Sequence, residues 1–376
     1  MTTSIGVVKE SEPGEHRVAV VPAVIPRLRD LGCEVLVEND AGTGAFLPDS
    51  AYTEVGAVPV AGAELYERAD VLACVRPPSG DQVPRMRRGQ VLVGMLEPLA
   101  DPDLFRALAE RGVEAVSLDL LPRTLSRAQS MDALTSQASI AGYKAALVAA
   151  DAYGRYFPML MTAAGTAKPA QVLVLGVGVA GLSAIGTARR LGAQVTGYDI
   201  RPETRDEVHS MGARFLDLAG VSVGSGEGGY ARALSESERD AQQEALQQRI
   251  GEFDVVITTA LVPGRKPPLL VTREALKGMR PGSVVVDLAA GPRGGNVEGS
   301  EPDRSVLIAD GVRLIGAGNL PSSMAPGASA AYARNIAALL AHLVRDGAPR
   351  LDLDDEILAA TVVTSGGQVR IGGGAR

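Results

Sequence analysis

Apolar positions along the first third of the chain come in short β-rich runs separated by helical patterns. Ile5 to Val8, Glu34 to Glu38, Val71 to Val75, Val91 to Met95 and Val113 to Val116 read as strands, with helices over Ala23 to Leu31 and Asp103 to Glu110. From about Ser126 to Gly154 the pattern becomes one long Ala-rich helical stretch, the connector to a second series of the same kind. That series predicts strands over Gln171 to Leu175, Gln194 to Tyr198, Val255 to Thr258, Ser283 to Asp287 and Val312 to Ile315. Helices are predicted over Ala180 to Leu191, Glu203 to Met211 and Ser235 to Gln248. Gly32, Gly192 and Gly212 follow helices, where a left-handed C-cap is needed. An Ala-rich helix over about Ser329 to Val344 closes the pattern. Strands alternating with helices of these lengths make parallel sheets, so the expected fold class is α/β: two Rossmann-like, doubly wound parallel-sheet domains joined by a long helix. The expected division is 1–130 together with about 325–376, and about 135–320.

Length agrees with two cores, since 376 residues exceed the roughly 250–300 at which a single core stops growing. The formal charge of −7, five Phe, eight Tyr and no Trp lack the basic patch and stacking aromatics of a nucleic-acid binder. Cys33 and Cys74 sit in apolar runs and read as small buried hydrophobes, and His16, His209 and His342 have no ligand spacing, so neither a disulfide nor a metal site is expected. The amino terminus lacks a secretory signal, which points to a cytoplasmic protein. Pro169 to Ala188 is uncharged for 20 residues, long enough for a membrane span, yet its four glycines and its motif mark a strand, a tight turn and a helix end to end.

That motif is Gly176-Val177-Gly178-Val179-Ala180-Gly181, placed between a predicted strand and a predicted helix. The first glycine permits a sharp turn, the second lets backbone approach a pyrophosphate, the third lets helix and strand pack closely, and the helix N-terminus attracts the phosphates. Asp199 stands 18 residues beyond Gly181 at the end of the next strand, where a carboxylate accepts hydrogen bonds from an adenosine ribose and repels a 2′-phosphate. The expected cofactor is therefore NAD(H), with Gly176, Gly178, Val179, Ala180, Gly181 and Asp199 in its site. Arg201 belongs to the same candidate set. An arginine there either accommodates a 2′-phosphate or is a solvated loop residue.

Three further stretches carry a resemblance: Arg123-Thr124-Leu125-Ser126-Arg127-Ala128-Gln129-Ser130-Met131-Asp132 at the connector, Met161-Thr162-Ala163-Ala164-Gly165-Thr166, and the loop Gly228-Gly229-Tyr230-Ala231. Together they resemble the NAD(H)-binding component of the proton-translocating nicotinamide nucleotide transhydrogenases. The likeness runs from Lys9 to the helix near residue 344. The segment Lys9 to Ala19 is similar to alanine dehydrogenases as well, so it marks only the superfamily.

The resemblance implies that Arg123, Gln129, Asp132 and Thr135 lie at the nicotinamide end of the nucleotide, with Gln129 and Asp132 nearest the reacting ring, and that Tyr230 closes over NAD(H) as a lid. Orienting the ring is what hydride transfer asks of a protein. On spacing alone, Ser126 or Ser130 could equally cap a helix, Arg123 and Asp132 could be surface charges, and the glycine-rich Ala219 to Tyr230 could be a linker. The resemblance further implies a homodimer at the cytoplasmic side of membrane-embedded subunits, one of which holds NADP(H). The rival expectation is a stand-alone dehydrogenase related to alanine dehydrogenase. Against it, Cys74, Glu97 or Pro98, and Gly291 to Arg293 stand where that enzyme has a lysine, a histidine and an aspartate, and cannot bind and protonate a keto acid. Arg17 remains from that set, with a salt bridge as its plain role. The stretch Asp287 to Asn296 is one residue longer than the resemblance predicts, and its shape does not follow from the sequence.

Overall fold

The computed structural model describes residues 2–218, 235–261, 264–308, 311–345 and 347–370. They form two compact units, Met1–Gln137 with Pro321–Arg376, and Ala138–Leu320.

In the first unit six parallel strands run across the sheet in the order Val58–Val60, Glu34–Glu38, Ser4–Val7, Val71–Ala73, Val91–Gly94, Glu114–Ser117. The chain winds outward from Ser4–Val7 to one edge, then jumps back beside that strand and winds to the other. This doubly wound order leaves a crevice at the carboxyl ends of Ser4–Val7 and Val71–Ala73. Strand residues alternate between two apolar layers: Val35, Val71 and Val93 face one, Leu36, Leu72 and Leu92 the other. Because both faces are covered, the strands are continuous apolar runs with no polar alternation. Helix Ala325–Leu343 packs in the first layer. Its Tyr332 hydroxyl donates to the Cys74 carbonyl (2.8 Å) and accepts from the Met95 amide (3.1 Å). Val362–Ser365 adds antiparallel to Glu114–Ser117 and carries the short edge strand Gln368–Val369.

The second unit repeats the plan in the order Arg214–Phe215, Gln194–Tyr198, Gln171–Leu175, Val255–Thr258, Val284–Asp287, Val312–Gly316, Arg304–Ile308, the last strand antiparallel. Its switch point lies between Gln171–Leu175 and Val255–Thr258, paired in register from Val172 with Val255 to Leu175 with Thr258.

The predicted connector is two elements rather than one helix. Ser126–Met131 is a 3-10 helix, Asp132 leaves helical geometry at ψ 85°, and the α-helix proper is Ala133–Ala152. Asp132 caps the second element itself, its carboxylate accepting the Thr135 amide, so neither Ser126 nor Ser130 serves as that cap. Further elements with no strong periodicity are the hairpin Leu160–Thr162 with Gly165–Ala167 and the helix Glu356–Thr361.

Candidate nucleotide site

Strand Gln171–Leu175 delivers the chain into the glycine turn at the switch point of the second unit, where open α/β sheets bind ligands. Gly176 has φ +91°, and a Cβ there would stand 2.9 Å from Thr259 Oγ1 and 3.0 Å from the Ala260 nitrogen. Gly181 sits in the first turn of helix Val179–Arg190, and a Cβ on it would come within 2.0 Å of the Gly176 carbonyl oxygen. Those two glycines are required by packing. Gly178 is different: it is the N-cap of the helix, and an added Cβ would meet no atom of the described protein within 4 Å. Among the described residues no side chain caps that 12-residue helix. Its first N–H groups therefore face a gap bounded by glycine, which fits a phosphate better than any capping side chain.

Asp199, 8% exposed, follows strand Gln194–Tyr198 and is turned back onto the motif. Its Oδ2 accepts the Val177 amide (2.7 Å) and its Oδ1 the Arg201 amide (2.9 Å). Arg201 adds its own side chain, Nε to Oδ1 (3.0 Å) and Nη2 to Oδ2 (2.9 Å), and Nη2 also reaches the Val177 carbonyl (3.2 Å). These bonds with Asp199 hold the guanidinium above its ordinary pKa. Arg201 is thus no solvated loop residue.

The far wall of the crevice carries no motif in the sequence. The Thr259 hydroxyl donates to the Gly176 carbonyl (2.7 Å). Fully buried Asn296 brackets Ala260, accepting its amide and donating to its carbonyl (2.9 Å each), and also donates to the Pro268 carbonyl (2.7 Å). Buried Asp287 accepts the Thr258 hydroxyl (2.8 Å) and the amides of Ala289 (2.9 Å) and Val297 (3.1 Å). The long stretch after it closes as a tight turn in which Gly291 and Gly294 exchange backbone hydrogen bonds. One signal in the sequence could have found this bracket: Asp287 ends an apolar strand as Asp199 does, and a carboxylate in that place needs several donors.

The connector residues lie in the first unit. Arg123, Asp132 and Thr135 form one cluster: Asp132 Oδ2 accepts the Thr135 hydroxyl (2.6 Å) and Arg123 Nε (3.3 Å), and Arg123 Nη2 donates to Thr135 Oγ1 (3.2 Å). Gln129 is exposed beside them on the 3-10 helix. Tyr230 lies outside the described residues. Arg17, buried, is paired with Glu15 through Nε (2.8 Å) and Nη2 (2.6 Å) and with Gln137 Oε1 (2.8 Å). Cys74 is buried, and desolvation raises its thiol well above the ordinary value. Glu97 is tied to Arg76 (2.6 Å). Among the described residues no group of three or more His, Cys, Asp or Glu could hold a metal ion, and no helix is long and apolar enough to cross a membrane.

Residues 6–141 match the alanine dehydrogenase/PNT N-terminal domain and residues 145–372 the alanine dehydrogenase/PNT C-terminal domain. The chain is 42% identical over 375 residues to an NAD(P) transhydrogenase subunit alpha chain of Rhodospirillum rubrum, covering 97% of each chain. Alanine dehydrogenase of Bacillus subtilis is 29% identical over 97% of this chain and 92% of its own. A solved transhydrogenase structure from Sinorhizobium meliloti superposes with a TM-score of 0.88 at 41% identity, covering 98% of this chain and 100% of that one. With a glycine turn and strand-end aspartate of the dinucleotide-binding kind, and two domain matches that together span nearly its whole length, the chain belongs to the alanine dehydrogenase/PNT family.

Proposed function

We propose that this chain is the NAD(H)-binding component of a transhydrogenase, exchanging hydride directly between NADH and NADP+ held on a partner subunit. The observation that carries the reading is the uncapped, glycine-bounded helix N-terminus beside a strand-end aspartate, in a chain with 42% identity to a transhydrogenase alpha subunit. The residues present are compatible with NAD(H): a Cβ at 178 would meet no atom of the described residues within 4 Å, which leaves room for a pyrophosphate, and Asp199 follows the strand at whose end a ribose-binding carboxylate is expected.

When bound, NAD(H) supplies the transferable hydride at nicotinamide C4. The chain's own residues bind and orient. Amides at the start of helix Val179–Arg190, with Gly176 and Gly178, hold the phosphates; Asp199 takes the adenosine ribose, with Arg201 beside it. Arg123, Gln129, Asp132 and Thr135 hold the nicotinamide, Gln129 and Asp132 acting nearest the transfer, and Tyr230 covers the nucleotide. Direct transfer asks for alignment and exclusion of water and for no acid or base from the protein.

The loss of a keto-acid site supports this reading over a stand-alone dehydrogenase, because Cys74 is a buried neutral thiol and Arg17 is consumed by Glu15. As partners we propose a second copy of the chain and membrane-embedded subunits, including one that binds NADP(H), with this chain on the cytoplasmic face. The exposed Tyr156, Met159 and Met161 beside and on the hairpin of the second unit give a second copy an apolar surface to cover.

The test is NADH oxidation by the purified chain against keto acids with ammonia, then with an NADP(H)-binding partner and an NADP analogue. Exchange only in the second assay is the expected result. Turnover in the first and none in the second overturns the proposal in favour of a dehydrogenase.

A further inference from the structure

A carboxylate offers about four acceptor positions on its two oxygens. All four of Asp199's are filled from within the chain: the Val177 amide and Arg201 Nη2 on Oδ2, the Arg201 amide and Arg201 Nε on Oδ1. The Val177 amide holds the carboxylate against the glycine turn, and the Arg201 amide holds it within its own loop. The other two come from one guanidinium, docked in the bidentate fork that makes arginine–carboxylate pairs strong. The donors that an adenosine ribose would bring are hydroxyls, and they need the positions the fork occupies.

We infer that Arg201 is a built-in competitor for the ribose position, swung off Asp199 when NAD(H) binds, so that this residue sets both the affinity for NAD(H) and what discrimination remains against NADP(H). The inference rests on the proposed NAD(H) site and adds a competing state to it. A protein whose binding-competent state is only partly populated shows an affinity reduced by that fraction. The cost for Arg201 of leaving its pair includes the two bonds to Asp199 and one to the Val177 carbonyl, all on the same guanidinium. A ligand with hydroxyls on the ribose replaces the lost bonds to Asp199. A ligand with a 2′-phosphate brings its own charge against Asp199, and the displaced guanidinium is the counterion that Arg201 can offer it.

The experiment compares Arg201→Ala and Arg201→Lys with the wild-type chain, reading dissociation constants for NADH, NADPH, 5′-AMP and 2′-AMP. Arg201→Ala is expected to bind NADH and 5′-AMP more tightly, on the order of tenfold for a removed competitor of about 1.4 kcal/mol. NADPH and 2′-AMP are expected to bind no better or more weakly. Arg201→Lys, which keeps the charge and loses the fork, is expected between wild type and Ala for NADH. Equal gains for 5′-AMP and 2′-AMP would mean a general loosening of the site and would overturn the inference, as would unchanged or weaker NADH binding by Arg201→Ala. Wild-type protein that binds no NADH would instead sink the NAD(H) reading, whatever the variants do.

Discussion

Thr259 and Gly176 are joined by a 2.7 Å hydrogen bond from the threonine hydroxyl to the glycine carbonyl, fastening the loop after Val255–Thr258 to the first residue of the phosphate turn. The two residues are 83 apart in sequence. Replacing Thr259 with Val keeps the shape and removes the donor, leaving the carbonyl without that partner. The expected cost is about 1–3 kcal/mol of stability. Weaker NADH binding should accompany it, because the carbonyl belongs to the turn. Chemical denaturation and fluorescence titration of NADH check both, and an unchanged midpoint with unchanged affinity would remove Thr259 from the site.

Gly178 and Gly181 should fail in different ways. Gly181→Ala forces a Cβ within 2.0 Å of the Gly176 carbonyl, so the helix must move off the strand, with a loss of about 1–3 kcal/mol or more and of NADH binding. Gly178→Ala meets no atom of the described residues within 4 Å. Its melting temperature should match wild type while NADH binding falls, since the new methyl enters the phosphate gap. A Gly178→Ala chain that binds NADH normally would move the pyrophosphate elsewhere.

Asp199 anchors the Val177 amide and pairs with Arg201, and it is the carboxylate proposed for the ribose. Asp199→Asn keeps one acceptor for the amide but removes the charge and the second acceptor that hold Arg201, so some fold stability is lost with that pair. NADH should weaken and the gap to NADPH should narrow, with a charged hydrogen bond accounting for about 1.5–3 kcal/mol. Comparing the two dissociation constants in both proteins checks it. Unaltered selectivity would mean that the ribose is read by another group.

Glu10 links stability to pH in the first unit. Half-buried as a residue, it turns its carboxylate onto the amides of Val75 (2.6 Å) and Arg76 (3.2 Å), at the switch point of that sheet. Burial outweighs those bonds and lifts its pKa from 4.5 to about 7. A carboxyl raised in the fold favours the native state while protonated. Its contribution is complete below 4.5 and is lost as pH climbs through about 7, up to about 3 kcal/mol in all. Glu10→Gln, which keeps an acceptor for one of the two amides and cannot ionise, should flatten this part of the stability profile. Denaturation midpoints from about pH 5 to pH 8 decide it, and parallel profiles would discard the assignment.

Central strands are the most legible elements because each is buried on both faces and reads as an unbroken apolar run. Gln171–Leu175 and Val255–Thr258 fall where their apolar runs predict. Val58–Val60 and Arg304–Ile308 are not legible: both are edge strands, three residues around a proline in one case and mostly exposed in the other. Nothing in their own sequence demands a sheet, and a neighbour supplies the reason. The connector reads as one helix because Ser126–Met131 has helical spacing, whereas Asp132, favoured as a cap, interrupts it.

By itself the sequence determined the α/β alternation, the glycine turn between strand and helix, and an aspartate at the end of the following strand. Each of these depends on residues within one or two elements, where periodicity and backbone sterics leave few alternatives. Only the tertiary structure decided what those residues touch. Arg201 folds back on Asp199, although its place in the sequence also allows a solvated loop residue, and Asn296 reaches Ala260 from 36 residues away. Val362–Ser365 completes the first sheet through Thr364, whose hydroxyl bonds the Val113 carbonyl across 251 residues. The physical reason is common to all three: a buried polar group must find a partner, but which partner arrives is set by how the sheets and loops pack, and no local pattern records it.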